Sequence, residues 1–375
     1  RVRRRPRVHL RRRRARRGRS HLRSGGPCRL GGRVRRGDPR RDFVSRRDLR
    51  GSTASRRRRG GRYGMVGTRR CAAHDATARR DRRERPHLRR GTLVKLLRVG
   101  AAGAERPHVI GPDGRVRDAS GITSDFDPAF VAGGGLDRLR AGLASLPVVE
   151  TGAQRIGPPV ARAGKIVCIG LNYRNHAKES GMAIPTEPII FMKAPNTVVG
   201  PTDDVRIPRG SSKTDWEVEL CVWIGRRASY VEDERSALQY VAGYAISNDV
   251  SEREFQLERG GQWDKGKSCD TFNPLGPWMV TRDEIDDVQA LGMWLDVDGV
   301  RQQTGHTGDM IFGVAHIVWY VSQFMVLEPG DLINTGTPAG VGMGFTPPRF
   351  LRPGQEIRLG IDGLGEQRSR TVATP

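Results

Sequence analysis

The sequence predicts a mixed, mainly β fold, in which a large strand-rich domain follows a small α+β domain. Short runs rich in Val, Ile, Leu and aromatic residues recur after residue 94, and turn dipeptides such as Asp298-Gly299 separate several of them. One long stretch, Ile311–Phe324, has the apolar spacing of a helix. Because helices do not alternate with the strands, a doubly wound parallel sheet is not expected.

Residues 1–93 form an Arg-rich segment whose composition differs from that of the rest. Residues 1–90 contain 36 Arg, no Lys and 6 acidic residues, a net charge of +30, whereas the rest of the chain holds 30 basic and 35 acidic residues. The total charge of +25 therefore comes entirely from this N-terminal quarter. We expect the segment to pack no core.

Three interpretations of this segment stay open. It could be a disordered basic arm that binds nucleic acid, or an acid-poor targeting peptide. We favour a third interpretation, in which translation is assigned from too early a start and the true product begins near Val94. The segment lacks Lys, Asn and Ile, whose codons are AT-rich, and is dense in Arg, Gly and Ala, whose codons are GC-rich.

Residues 94–158 are predicted to form a small N-terminal domain. Val94–Val99 has the composition of a strand, Asp113-Gly114 is a hairpin turn signal, and Leu136–Leu146 has helical spacing. A Gly-Pro-Pro run at 157–159 then interrupts the pattern. We therefore place the domain boundary at this run.

Residues 160–375 are predicted to form the larger domain. Lys165–Gly170 is predicted as a buried strand, residues 172–179 as one or two helical turns, and Asp309 as the N-cap of the helix over 311–324. Further strands are expected at Ile189–Lys193, Val218–Ile224, Tyr240–Asn248, Trp278–Thr281, Met293–Val297, Leu332–Thr335 and Ile357–Ile361.

Cysteine spacing and hydropathy exclude several classes of protein. The 5 cysteines are widely spaced and form neither a CxxC motif nor a Cys/His cluster, so we expect no disulfide framework and no zinc site. The most apolar stretch, residues 311–327, contains His316 and Gln323 and is too short and too polar to span a bilayer. We therefore expect a cytoplasmic protein without a membrane partner.

The most informative motif is a pair of acids, Glu217 and Glu219, in an otherwise apolar strand. Residues i and i+2 of a strand point to one face, about 6.5–7 Å apart. Two like charges beside apolar neighbours are costly unless a cation neutralises them. Alone, Glu-x-Glu more often marks the solvated face of an edge strand. Asp249, which ends the next apolar run, favours an all-oxygen site for Mg²⁺ or Mn²⁺ over a zinc site.

Three further motifs are weak when each is taken alone. His176 and Glu179 share a face if their stretch is helical, so the carboxylate can orient the imidazole as a general base, although a surface pair is the plainer explanation. Gly266-Lys267-Ser268 lies in a predicted loop but lacks the strand–loop–helix context of a phosphate loop. The Gly-rich run 334–342 either is a plain turn or offers N–H groups and the Thr337 hydroxyl to an anion such as a carboxylate.

Together these motifs resemble the fumarylacetoacetate hydrolase superfamily, over about residues 160–373. Residues 94–158 resemble the small N-terminal domain of many members. Residues 255–267 are similar to the bacterial branch that acts on 2,4-diketo-3-deoxy-L-fuconate and L-rhamnonate, a branch often named ureidoglycolate lyase. The matching stretches are Gly170-Leu171-Asn172-Tyr173 with His176 and Glu179, Glu217-Val218-Glu219, Asn248-Asp249-Val250-Ser251, Gly266-Lys267-Ser268 and Thr335–Gly342.

The resemblance implies a fumarylacetoacetase-like β-roll catalytic domain in a homodimer that acts on a small keto acid. It also brings Lys193 near the site without assigning it a role. The positions that match the family's functional residues are the Mg²⁺ or Mn²⁺ ligands Glu217, Glu219 and Asp249, the lid dyad His176 and Glu179, the active-site lysine Lys267, and the substrate contacts Gln256 and Thr337.

The activity that the resemblance implies is hydrolysis of a C–C bond in a 2,4-diketo acid, with pyruvate and a hydroxy acid as products. Oxaloacetate decarboxylation, isomerisation of hydroxymuconate-type dienes and ureidoglycolate lyase chemistry stay open, because each stabilises an enolate-like intermediate. The His–Glu pair favours hydrolysis, which needs an activated water. An alternative of another class, an Arg-rich nucleic-acid-binding protein, requires residues 1–90 to be functional. We expect no nucleic-acid partner.

Overall fold

The architecture is mainly β throughout the part of the chain that the structure describes. The structure, a computed structural model, describes residues 94–375, so the predictions for residues 1–93 lie outside the described residues. An eleven-stranded sheet and a five-stranded sheet, both mixed, hold most of the described regular structure. The predicted fold class is thereby confirmed.

The described strands and helices are numbered in chain order. The strands are β1 (Lys95–Val99), β2 (Arg106–Ile110), β3 (Val116–Asp118), β4 (Ile156–Gly157), β5 (Ile166–Gly170), β6 (Ile189–Lys193), β7 (Val198–Val199), β8 (Val205–Ile207), β9 (Thr214–Asp215), β10 (Val218–Ile224), β11 (Val241–Asn248), β12 (Ser251–Glu252), β13 (Asn273–Thr281), β14 (Gly292–Val297), β15 (Val300–His306), β16 (Leu332–Asn334), β17 (Glu356–Ile361) and β18 (Gly365–Ala373). The helices are α1 (Pro128–Ala132), α2 (Gly135–Gly142), α3 (Arg174–Glu179), α4 (Glu234–Ala237), α5 (Asp264–Lys267) and α6 (Val314–Val321).

The first strands extend the large sheet. β1, β2 and β3 form an antiparallel meander, and the predicted turn at Asp113-Gly114 joins β2 to β3. β1 also pairs with β13, with Leu96 opposite Met279. Residues 94–158 therefore share a sheet with the larger region, and the domain boundary near residue 158 stays a prediction.

β10 lies near the centre of the large sheet, whose order is β3–β2–β1–β13–β11–β10–β16–β5–β6. All of its residues are buried, as expected for a strand covered on both faces. Val218, Leu220 and Val222 point into the core shared with β14 and β17 of the five-stranded sheet. Since side chains alternate, Glu219 points to the opposite face, on the side where Cys221 packs in a second core.

The helix predicted over 311–324 begins later than expected. α6 starts at Val314, and Asp309 lies in a preceding 3₁₀ turn, so its prediction as the N-cap is wrong. The cause is tertiary contact. Asn172 accepts from the N–H groups of residues 311 and 312 at 2.7 and 2.9 Å, which diverts these residues from the helix. The Gln289 carboxamide then accepts from the Val314 N–H at 2.8 Å.

Within residues 94–375, every helix falls short of the length and apolarity that a bilayer crossing requires.

Candidate active site and metal centre

Three buried carboxylates meet where β10 and β11 lie side by side. Glu219 is the second residue of β10, Glu217 immediately precedes this strand, and Asp249 immediately follows β11. The antiparallel register pairs Val218 with Asn248, and the Asp249 N–H donates to the Glu217 carbonyl at 2.9 Å. One oxygen of each carboxylate lies within 4.8 Å of the others. We call Glu217, Glu219 and Asp249 the carboxylate triad.

Three cations surround the carboxylate triad. Lys267 Nζ lies 2.8 Å from both Glu217 Oε2 and Asp249 Oδ2. Lys193 Nζ lies 2.5 Å from Asp249 Oδ1, and Arg253 Nη2 lies 2.7 Å from Glu217 Oε1. Two of the three acids are therefore paired with positive charge.

Glu219 is the acid of the triad without such a partner. Among the described residues no ion pair includes it, and its carboxylate accepts from the Gly336 N–H at 2.7 Å. Burial, followed by the charges of Asp249 and Glu217, raises the pKa of Glu219 well above its usual range. Burial also opposes ionisation of Glu217, but the adjacent cations outweigh it and lower the pKa of Glu217 to about 2.

The donor set fits a hard divalent cation. Three carboxylate oxygens converge within reach of one ion, and one of them belongs to Glu219, whose ionisation burial and the two neighbouring acids oppose in the absence of a cation. All-oxygen ligation suits Mg²⁺ or Mn²⁺ better than Zn²⁺. Glu217, Glu219 and Asp249 would hold the ion. They are the residues predicted from the sequence, and their role as ligands stays a prediction.

His176 and Glu179 lie on one face of α3, with His176 Nδ1 3.2 Å from Glu179 Oε2. His176 is buried and lines the same pocket as Glu217 and Glu219. An acidic partner at Nδ1 favours the tautomer that carries its proton there. Nε2 is then the basic nitrogen of the ring.

The Gly-rich loop, defined here as residues 335–344, follows β16 and donates its N–H groups to carboxylates of the protein itself. The sequence left open that these N–H groups bind an anion such as a carboxylate, and the carboxylates that accept from them are side chains of the protein. The acceptors are Glu219 for Gly336, Glu179 for Gly340, and Asp215 for both Gly342 and Met343.

Thr337, in the same loop, lines the pocket but its hydroxyl is already bonded. It donates to the Val218 carbonyl at 2.9 Å and accepts from Gln303 Nε2 at 2.8 Å. Its predicted contact with substrate stays a prediction.

Lys267 lies at the end of α5 and not in a loop, which corrects the sequence prediction. A Cβ on Gly266 would lie 2.3 Å from the Glu252 carbonyl oxygen and 2.6 Å from the Gln256 nitrogen. Gly266 thus allows α5 to approach the π-helical turn Glu254–Glu258. This approach brings Lys267 and Gln256 to one pocket.

The pocket has a volume of about 130 Å³ and gathers most of the predicted site residues. Asp249 is fully buried behind the wall of the pocket. Glu179 is linked to the pocket through its contact with His176. Phe191 and Trp263 add apolar surface, with ring centroids 5.3 Å apart. The predicted residues in the wall are His176, Glu217, Glu219, Gln256, Lys267 and Thr337.

Sequence reasoning missed Arg253 and Asp215. Arg253 is 5% exposed and lines the pocket, and it donates from Nε to Asp215 Oδ2 at 2.8 Å and from Nη1 to Gln256 Oε1 at 3.1 Å. Arg253 Nη2 is close to Glu217, but the angle is not that of a hydrogen bond. A signal was present, because Arg253 stands four residues after Asp249 and Asp215 two residues before Glu217.

Comparison with known proteins identifies the family of this chain. The profile of the fumarylacetoacetate (FAA) hydrolase C-terminal domain matches residues 165–372. A proposed hydrolase of Burkholderia ambifaria is 56% identical over 280 residues, which cover 74% of this chain and 99% of the relative.

Two solved structures are similar over 75% of this chain. One is maleylpyruvate hydrolase from Sphingobium sp. SYK-6 in complex with manganese(II) and pyruvate, 28% identical, with a TM-score of 0.62 and 100% of that chain covered. The other is 2-hydroxyhepta-2,4-diene-1,7-dioate isomerase from Mycobacterium marinum, 30% identical, with a TM-score of 0.57 and 99% of that chain covered. With more than half of its residues matched by the profile, this chain belongs to the fumarylacetoacetate hydrolase family.

Proposed function

We propose that this protein is a divalent-metal-dependent hydrolase that cleaves a C–C bond in a 2,4-diketo acid of the acylpyruvate type. The observation that carries the proposal is the meeting of the carboxylate triad and the His176–Glu179 pair at one pocket. The similar maleylpyruvate hydrolase, with its manganese and pyruvate, supports Mg²⁺ or Mn²⁺ as cofactor and pyruvate as product.

The two halves of the site have complementary tasks. A divalent cation held by Glu217, Glu219 and Asp249 would supply Lewis acidity toward the C1 carboxylate and C2 keto group of the substrate. Lys267 and Arg253 keep positive charge at the same end of the pocket, which favours binding of an anionic substrate.

His176 performs the proton transfer. Its Nε2 takes a proton from water while Glu179 stabilises the resulting imidazolium at Nδ1. The water oxygen bonds to C4, the C3–C4 bond breaks, and its electron pair stays on C3 as the enolate of pyruvate. The Lys267 ammonium stabilises that negative charge. The proton on His176 returns to C3, so one water is consumed and pyruvate and one carboxylic acid are formed.

Within this class we propose a 2,4-diketo-3-deoxy sugar acid as substrate. The similarity of residues 255–267 to the fuconate and rhamnonate branch supports it. The pocket wall combines polar Ser180 and Gln256 with apolar Leu257 and Trp263. Such a wall suits a tail that carries both hydroxyl groups and C–H faces.

A diene isomerase is the second candidate, because the Mycobacterium marinum isomerase is similar over nearly its whole length. Isomerisation moves a proton without adding water, so it releases no pyruvate. The two reactions are therefore separated by their products.

We also propose that the protein is a homodimer in a reducing, cytoplasmic compartment and binds no nucleic acid. The resemblance to the family and the free thiols of Cys168, Cys221 and Cys269 support this proposal. Light scattering coupled to size exclusion measures the mass, and a monomer would contradict the dimer.

A substrate panel tests the proposed function. Pyruvate release is followed with 2,4-diketo-3-deoxy sugar acids, acylpyruvates, oxaloacetate, ureidoglycolate and a hydroxymuconate-type diene, with Mg²⁺, Mn²⁺ or EDTA. We expect metal-dependent pyruvate release, fastest with a sugar-derived diketo acid. Conversion of the diene without hydrolysis of any diketo acid would reject the hydrolase in favour of the isomerase.

A further inference from the structure

The Gly-rich loop holds the Glu179 carboxylate as closely as His176 does. The Gly340 N–H donates to Glu179 Oε1 at 3.0 Å and to Oε2 at 3.2 Å. His176 Nδ1 lies 3.2 Å from the same Oε2. The contact between residues 179 and 340 joins α3 to a loop that follows it by 161 positions in the chain.

Gly344 leaves the space that this carboxylate fills. A Cβ on Gly344 would lie 2.4 Å from Glu179 Cδ, 2.6 Å from Oε1 and 2.7 Å from Cγ. Optimal carbon–carbon contacts are about 3.5–4.0 Å, so the methyl group and the carboxylate cannot occupy these positions together.

The backbone of Gly344 does not itself require glycine. Gly344 ends a 3₁₀ turn, and its φ lies outside the left-handed region. Gly340 differs, because its φ is +101° and a Cβ would lie 2.1 Å from the Gln302 carbonyl oxygen. At Gly342 a Cβ would lie 2.0 Å from the Arg349 carbonyl oxygen. These two glycines are needed by the loop, whereas Gly344 makes room for a side chain of the site.

We infer that Gly344 is a positioning residue for the His176–Glu179 pair. It forms, with the Gly340 N–H, a seat that fixes the Glu179 carboxylate against Nδ1 of His176. The same loop fixes Glu219 through the Gly336 N–H. One loop therefore aligns the base that activates water with an acid of the triad. The effect on catalysis rests on the proposed function, while the seat itself does not.

Gly344→Ala tests the seat with little damage to the fold. The clashing atoms belong to the end of a flexible side chain, so the methyl group displaces Glu179 and leaves the loop backbone in place. We expect kcat to fall roughly 10-fold or more because the base loses its partner, with little change in KM. Gly121→Ala is the matched control. Gly121 is exposed in a turn, has no atom within 4 Å of an added Cβ, and should keep the wild-type kcat.

A double-mutant cycle identifies the route of the effect. In a Glu179→Ala background the obstructing carboxylate is gone, so Gly344→Ala should lower kcat no further. A wild-type kcat in Gly344→Ala overturns the inference. An equal loss in both backgrounds also overturns it, because the glycine would then act through the loop and not through Glu179.

A readout without turnover separates this inference from the proposed function. The chain has 8 histidines, so ¹⁵N-histidine labelling with His176→Gln as reference assigns the His176 imidazole. Gly344→Ala should shift its Nδ1 resonance as Glu179→Ala does, and leave Mn²⁺ affinity unchanged. If the substrate panel gives no turnover, the proposed function fails while this signature still decides the inference. An imidazole spectrum identical to wild type overturns it.

Discussion

Two clusters of charged residues in this protein differ in how their acidic and basic side chains are arranged in space. In the first, the N-terminal ion network, acids and bases alternate. Arg155 lies 2.7 Å from Glu105 and 2.5 Å from Asp203, and Arg98 lies 2.6 Å from Asp125. In the second, the carboxylate triad, three acids converge within 4.8 Å, and two of them, Glu217 and Glu219, line a pocket. The N-terminal ion network consists of Arg98, Glu105, Asp125, Arg155 and Asp203.

The pKa values of Glu105 in the first cluster and Glu219 in the second shift in opposite directions, although burial opposes the ionisation of both. Burial opposes ionisation of Glu105, but hydrogen bonding from Arg155 and the charge of Arg98 outweigh it and lower its pKa. For Glu219 the charges of the neighbouring acids add to burial, and its pKa rises. Alternating acids and bases neutralise one another, whereas converging acids leave an excess of negative charge that a bound cation can neutralise. The second arrangement is therefore the one that indicates function.

The largest difference between the two clusters is expected in metal-dependent turnover, when the cation is lost. Glu219→Ala removes one of the three proposed ligands, and we expect it to abolish metal-dependent pyruvate release and to weaken Mn²⁺ binding. EDTA should do the same to the wild type, and added Mg²⁺ or Mn²⁺ should restore activity. Glu105→Gln, in the N-terminal ion network, is the control and should keep its metal-dependent turnover. Full turnover in EDTA would reject the metal scheme.

His176→Ala should give the next largest effect. Removing a general base lowers kcat by about 10²–10⁴, while the carboxylate triad and its Mn²⁺ affinity should remain intact. Steady-state kinetics of pyruvate release and a Mn²⁺ titration measure the two quantities. Near-normal hydrolysis would show that another group activates the water.

Local patterns were sufficient to place much of the candidate site. Glu217 precedes β10, Glu219 lies in β10 two residues later, and Asp249 follows β11. The antiparallel register of β10 and β11 then brings the three carboxylates together. His176 and Glu179 are three apart on one helical turn. In each case the spacing in sequence fixes the spacing in space.

The parts that sequence did not predict depend on distant partners. Arg253 meets Asp215 across 38 residues, and the Asp309 cap fails because Asn172 and Gln289 bind the segment that follows it. The sequence does not predict β18, because the residues that this strand buries, Gln367, Ser369 and Thr371, are polar. A strand with polar residues inside lacks the apolar alternation by which strands are found.

Arg155→Ala tests whether the N-terminal ion network contributes to stability and not to activity. It removes the guanidinium that pairs with both Glu105 and Asp203 and leaves Glu105 with the more distant Arg98, at 3.3 Å, so we expect the free energy of unfolding to fall by about 1–3 kcal/mol. Chemical denaturation measures this, and kcat/KM and Mn²⁺ affinity should stay at wild-type values. A loss of Mn²⁺ affinity without a loss of stability would contradict the division into a structural and a functional cluster.

The smallest effect is expected for the stability of Glu219→Gln, which can be compared directly with that of Glu105→Gln. Glu219→Gln removes a buried acid that faces two like charges and has no cation partner within residues 94–375, while it keeps the shape of the side chain. In EDTA this variant should therefore be as stable as wild type or more stable, by up to about 1 kcal/mol.

Glu105→Gln should instead be destabilised, because two arginines lose their anionic partner. Added Mn²⁺ should raise the stability of the wild type more than that of Glu219→Gln, since only the wild type keeps three carboxylates for the ion. Thermal denaturation with and without metal measures all these differences. If Glu219→Gln were clearly destabilised in EDTA, the charge of Glu219 would be stabilising without a cation. The distinction between alternating and converging charge would then not separate structure from function in this protein.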